Sequence, residues 1–234
     1  YACIKEVKSK LKKFPNSLHL LNYQAMAYSA LKKDKEALES YQKIIKKDPS
    51  LAGPYYNRGI ILKRNGRLEE AIDNYKKAIS LKPDYVKAYN NLGVLYKDNK
   101  KYDDAIKMFM RARELQPDHQ NSYYNLGLIK KEQGLDEEAI DLFLKVLDLN
   151  PGHTEAKYNI SLLRKDEGSL EEAKRYLQEM GGNNNIACRL QTLLDAAVKV
   201  SGSSAVEAEL SDDHVKFVLC FLMYMNQKQY AFPY

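Results

Sequence analysis

Asparagine stands at 57, 91, 125 and 159, each 34 residues after the last. A carboxamide donates and accepts hydrogen bonds at once, so a row of them suits pairing with the main chain of an extended peptide whatever its side chains. Asparagine is also a mediocre helix residue, and it is expected to contribute nothing to a seam between helices; packing does not ask for it. The residues beside this column carry compatible chemistry. Tyr56, Asn90, Tyr124 and Tyr158 precede the asparagines, Ile60, Val94, Leu128 and Leu162 follow three places later, and Lys63, Lys97, Lys131 and Lys165 follow six places later. Aromatic and aliphatic groups beside an amide row would form side-chain pockets, and the lysines would edge them and attract acidic ligand residues.

Groups for covalent or acid–base chemistry are not assembled in this way. His19, His119, His153 and His214 are scattered, and the middle two repeat one loop position, so neither a ligand pair nor a metal site is expected. No glycine-rich phosphate loop occurs; Gly181-Gly182-Asn183-Asn184-Asn185 reads as a flexible break. Glu69-Glu70 and Glu137-Glu138 read as first-turn residues of helices, where they complement the helix dipole. The chain is therefore expected not to be an enzyme and to need no cofactor, although a catalytic domain could lie outside these residues.

The period itself defines the elements that must position the asparagines. Proline recurs at 49, 83, 117 and 151 and alanine at 37, 71, 105, 139 and 173, again 34 apart. Such a period is one helix-turn-helix unit that cannot bury its own apolar face and must stack on copies of itself. With the proline at place 32, the repeats run 18–51, 52–85, 86–119, 120–153 and 154–180, and residues 1–17 are the second helix of a truncated repeat. Ala25, Gly59, Gly93 and Gly127, with Ser161 last, occupy place 8, where a small residue allows close helix approach, and the alanine of place 20 is expected to face it. Tyr41, Tyr75, Phe109 and Phe143 at place 24 fill the space between units, with Leu177 in the last. The proline ends the second helix, because its ring removes a donor and drives the preceding residue out of helical geometry. Gly66, Lys100, Gly134 and Gly168 mark the turns between helices.

Runs such as Tyr89-Asn90-Asn91-Leu92-Gly93, Tyr102-Asp103-Asp104-Ala105-Ile106 and Gln116-Pro117 resemble tetratricopeptide repeats over roughly residues 1–180. The Tyr-Asn-Leu-Gly openings and Leu-Lys-Pro-Asp closings are similar in texture to the repeats that precede the catalytic domain of O-linked N-acetylglucosamine transferases. The resemblance implies an all-α, right-handed superhelical α-solenoid whose first helices line a concave groove, and there it implies an asparagine ladder holding a peptide. A carboxylate clamp for acidic chaperone C-termini, another mode of the family, is matched only by Asn57 and Lys87. Asn22 and Met26 stand where its first lysine and asparagine belong, and Asn91 replaces its arginine. Packed helices lie about 8–10 Å apart and an extended peptide rises about 3.3 Å per residue, so each asparagine would meet roughly every third peptide residue.

Charge and the ends of the chain complete the expectations. Net charge is +6, but residues 1–51 hold 11 Lys and Arg against 5 Asp and Glu, and the fourth repeat is net acidic. Such a gradient would orient a partner of the reverse polarity. The lysines accompany no nucleic-acid motif, so nucleic-acid binding is not expected. The longest apolar run, Phe217 to Met225, is too short to span a bilayer. Cys3, Cys188 and Cys220, few and odd in number, suit free thiols in the cytoplasm or nucleus. The start at Tyr1 points to a missing natural N-terminus. After the break, residues 186–234 are expected to form a helical segment, with one helix over 186–200 and another from Ser211 to about Met225. The latter is apolar nearly all round and would cap the solenoid or pair two copies through residues 211–225. Three functions follow in order of fit: a scaffold or adaptor binding a peptide, the recognition domain of a larger enzyme such as a glycosyltransferase, and a self-assembly module.

Overall fold

The computed structural model describes residues 2–166, all of whose regular structure is helical. The expected break at 181–185, the segment 186–234 and the turn at Gly168 lie outside them. The ten helices among the described residues are α1 (Ala2–Lys13), α2 (Leu18–Ala30), α3 (Asp34–Lys47), α4 (Ala52–Arg64), α5 (Leu68–Leu81), α6 (Val86–Asp98), α7 (Tyr102–Leu115), α8 (Gln120–Glu132), α9 (Asp136–Leu149) and α10 (Thr154–Asp166). The chain divides into two compact units, residues 1–129 and 130–234. Within the first, each helix from α1 to α6 packs on the next, most extensively in the pairs α2–α3, α4–α5 and α6–α7; within the second, α9 packs on α10. None of the described helices is long and apolar enough to cross a membrane.

Two kinds of turn recur because two sequence devices recur. Inside each pair the first helix closes with a bond from the amide five residues on: Lys33 to Tyr28 O, Arg67 to Leu62 O and Lys101 to Tyr96 O at 2.8–2.9 Å, and Leu135 to Lys130 O at 3.0 Å. Such closure needs a residue in the left-handed region. Gly66 (φ 73°) and Gly134 (φ 72°) adopt it freely, whereas Lys32 (φ 56°) and Lys100 (φ 57°) hold it despite a Cβ. The second helices end two residues before the proline, at Lys47, Leu81, Leu115 and Leu149. The intervening Asp48, Lys82, Gln116 and Asn150 leave helical geometry (φ −136° to −148°), as a residue before proline must. Acidic pairs open α5 (Glu69, Glu70), α7 (Asp103, Asp104) and α9 (Glu137, Glu138), at the positive end of the dipole. The repeated loop histidines serve the helices that follow: His119 Nδ1 lies 2.8 Å from Ser122 Oγ, and His153 Nδ1 accepts from the Ala156 amide at 3.2 Å.

The core is a seam. Ile4 of α1 joins Leu21, Ala25 and Tyr28 of α2, Ala37, Tyr41 and Ile44 of α3 and Ile61 of α4; farther along, Leu62, Ala71, Tyr75, Leu92 and Leu95 continue it. Tyr41, Tyr75, Phe109 and Phe143, the place-24 aromatics, are all fully buried. The place-8 glycine lies against this ring: a Cβ on Gly59 would lie 2.6 Å from Tyr75 Cε1, and one on Gly93 2.7 Å from Phe109 Cε1. The aromatic therefore closes its own helix pair as well as filling the space toward the next.

Candidate functional site

The first helices of the pairs, α2, α4, α6 and α8, present the asparagine column and its neighbours. Spacings of three and four residues put places 2, 5, 6, 9 and 12 near one another on a helix surface. On α2 that surface is open: Tyr23 and Met26, at places 6 and 9, are 60% and 50% exposed. On α4, α6 and α8 it is half-buried at Tyr56, Asn57 and Ile60, at Asn90, Asn91 and Val94, and at Tyr124, Asn125 and Leu128. Lys87 is exposed, and Lys63 and Lys97 are half-buried.

The four asparagines share a position in the period but not a set of partners. Asn57 lies near the hydroxyl of Tyr41, sixteen residues earlier. Burial pushes that phenol up to about 12, and the asparagine pulls against the rise. Asn91 Nδ2 donates to Tyr56 Oη at 3.3 Å. Its carboxamide also lies close enough to Tyr75 Oη to oppose the upward push of burial on that phenol, although the hydroxyl has no partner of good hydrogen-bond geometry. The expectation that the column takes no part in the seam is thus corrected for Asn91, which bonds Tyr56 on the first helix of the preceding repeat.

Asn125 bonds its own helix, Nδ2 donating to Asn121 O at 2.8 Å. In the second unit Asn159 is buried; its Nδ2 donates to Glu155 O and its Oδ1 accepts from Lys131 Nζ, both at 2.8 Å. Lys131 is therefore engaged with the asparagine column itself.

The remaining site residues divide between contact and openness. The Tyr56 ring centroid lies 4.8 Å from that of Tyr85 and 5.9 Å from that of Tyr75, and burial raises the pKa of the Tyr56 phenol. Asn90 Oδ1 is buried without a hydrogen-bond partner. Lys97 Nζ is 3.7 Å from Asp98, and Lys87 carries no ion pair among the described residues. Tyr124 and Tyr158 are half-buried, while the Lys165 side chain lies outside the described atoms. Two features went unread in the sequence. Arg58, at place 7, donates to Gln42 Oε1 at 2.7 Å, and burial lowers its pKa. Tyr23 stands where the asparagine column would begin and Met26 departs from the clamp pattern, yet their places in the period put both on the same first-helix face as the column. No group of three metal-ligating side chains occurs among the described residues.

Comparison with known proteins gives one family. A TPR repeat model matches residues 26–66 and 61–100, and a tetratricopeptide repeat model matches 84–152. A crystal structure of MamA is 30% identical, with a TM-score of 0.59 over 66% of this chain and 90% of that one. YrrB, described as a TPR protein with an unusual peptide-binding site, is 22% identical with a TM-score of 0.62, covering 82% of this chain and 97% of its own. PilF of Pseudomonas aeruginosa is 21% identical with a TM-score of 0.69, covering 78% and 84%. No curated protein sequence matches the chain.

Proposed function

Because the chain belongs to the tetratricopeptide repeat family, we propose that it is a protein-interaction scaffold that holds an extended peptide against the first-helix face of its repeats. The observation that carries the reading is the make-up of that face. Carboxamides recur along it beside half-buried Tyr56, Ile60, Val94, Tyr124 and Leu128, and on α2 it leaves Tyr23 and Met26 more exposed than large apolar residues ordinarily are. The peptide-binding site of YrrB, a protein of the same fold, supports a ligand of this class.

On this reading the asparagine column supplies main-chain contacts, the tyrosines and aliphatics of places 5 and 9 receive side chains, and Lys63, Lys87 and Lys97 draw acidic ligand residues. A net hydrogen bond contributes about 1 kcal/mol, and ordering the peptide offsets much of the sum, so micromolar affinity is expected. The Tyr-Asn-Leu-Gly texture supports a variant of the same reading, in which the face is the recognition domain of a larger enzyme such as a glycosyltransferase. The test is a random peptide library presented to the protein and to an Asn91→Ala, Asn125→Ala double variant. Extended peptides should bind the protein and bind the double variant several-fold more weakly; equal binding would end the ladder, and no binding at all would end the scaffold reading.

A further inference from the structure

One junction on the first-helix face brings two phenols to the asparagine column. Of the five repeats only the second carries tyrosine at both place 5 and place 24, Tyr56 and Tyr75; elsewhere one of those places holds Asn22, Asn90, Phe109, Phe143 or Leu177. The two ring centroids lie 5.9 Å apart, and Asn91 of the third repeat meets both hydroxyls: its Nδ2 donates to Tyr56 Oη at 3.3 Å, and its carboxamide lies near Tyr75 Oη. Tyr75 is fully buried, yet its hydroxyl has no hydrogen-bond partner among the described residues. A buried donor left unbonded costs stability, and each such group in a folded protein calls for a reason. Packing supplies none here, because Phe109 and Phe143 fill the same place, fully buried, without a hydroxyl. Burial raises the pKa of both phenols, so each remains an O–H donor at neutral pH. With the second N–H of Asn91, three donors converge at this junction.

We propose that Tyr56, Tyr75 and Asn91 form a subsite for one oxygen acceptor of the bound ligand, a main-chain carbonyl or a carboxylate, at the junction of the second and third repeats. The inference rests on the peptide-scaffold reading and deepens it by naming the ligand group that this junction takes. Tyr56 and Asn91 are half-buried and line the face, and they cover the Tyr75 hydroxyl. The Asn91–Tyr56 bond exceeds the usual N–H···O range of about 2.7–3.2 Å, so it opens at little cost. An oxygen entering there takes the Asn91 N–H in place of Tyr56 and meets both phenolic O–H groups. The Tyr75 hydroxyl is already desolvated in the free protein, so bonding the ligand gives up no bond to water. Its contribution therefore falls at the upper end for a net hydrogen bond.

The experiment uses the full chain and a nine-residue peptide selected from a random library. Tyr75→Phe should weaken binding about tenfold, while the thermal midpoint stays the same or rises, because a phenyl ring fits this place and no internal bond is lost. Tyr56→Phe should weaken binding too, and Asn91→Ala combined with Tyr75→Phe should cost less than the two changes summed, since both act on one oxygen. Tyr41→Phe makes the same change one repeat earlier, where place 5 is Asn22, and should alter affinity less than about twofold. A version of the peptide with alanine for each acidic residue and an amidated C-terminus separates the two sources of the oxygen. A Tyr75→Phe loss that persists with it assigns a main-chain carbonyl, and a loss that vanishes assigns a carboxylate. Unchanged affinity in Tyr75→Phe would overturn the inference, as would a lowered thermal midpoint, which gives the hydroxyl a partner inside the protein. Either result with peptide still bound by the wild type leaves the scaffold reading standing, whereas failure of any extended peptide to bind the wild type removes both.

Discussion

Single residues decide which of two identical-looking turns is relaxed. Lys100 and Gly134 occupy the same place in consecutive repeats, and both have positive φ, 57° and 72°. The geometry is free for glycine and costs a residue with a Cβ on the order of 1 kcal/mol. Lys100→Gly should therefore raise stability by up to about 1 kcal/mol, less what the more flexible unfolded chain regains, and Gly134→Ala should lower it by a similar amount. Urea midpoints at unchanged slope would check both. The sequence displayed a turn at each of these positions, but whether lysine there would strain the backbone or shift the turn to spare it depends on how the two flanking helices are held. The same holds at place 6. Four asparagines at one spacing are plain in the sequence, yet only the folded chain reveals that Asn91 bonds Tyr56 on a neighbouring helix while Asn125 bonds a carbonyl of its own helix.

At the scale of the helix pair, the closest approach is a glycine against an aromatic ring. Gly93 sits beneath Phe109, and any Cβ there would meet the ring at 2.7 Å. Gly93→Val would gain helix propensity over glycine, but its branches would have to displace a ring that is completely buried. Overpacking of this kind costs about 1–3 kcal/mol and outweighs the gain. Thermal or urea unfolding should show a net loss, and Phe109→Leu in the same chain should restore part of it by removing the obstacle. The 34-residue columns identified small and aromatic places separately, because composition at each place is visible in one dimension. Pairing place 8 with place 24 is a matter of how far a ring reaches across a helix–helix contact, which periodicity does not encode.

For the whole molecule the governing quantity is charge along the sequence. Residues 1–51 are net +6, the next two repeats +3 and +2, and the fourth −3. Peptides with acidic residues should bind in preference to basic peptides of equal apolar content, and the preference should collapse near 1 M salt, where the Debye length is about 3 Å. Fluorescence anisotropy at two ionic strengths would read it, and a salt-independent preference would place the discrimination in packing instead.

The sequence by itself determined the class of fold, the length of each unit, the positions of the helix ends and the face on which a ligand would be sought. Each of these follows from local chemistry repeated at a fixed interval: proline stops a helix wherever it stands, and a helix-turn-helix unit with one apolar face must stack. Tertiary structure alone decided which polar groups on that face are spent. A carboxamide bonds whatever donor or acceptor folding brings within about 3 Å, and within one column that partner is a tyrosine thirty-five residues away for Asn91 and a carbonyl of its own helix for Asn125 and Asn159. Four identical letters at one spacing cannot tell these partners apart, because the partner is fixed only when neighbouring helices close on one another.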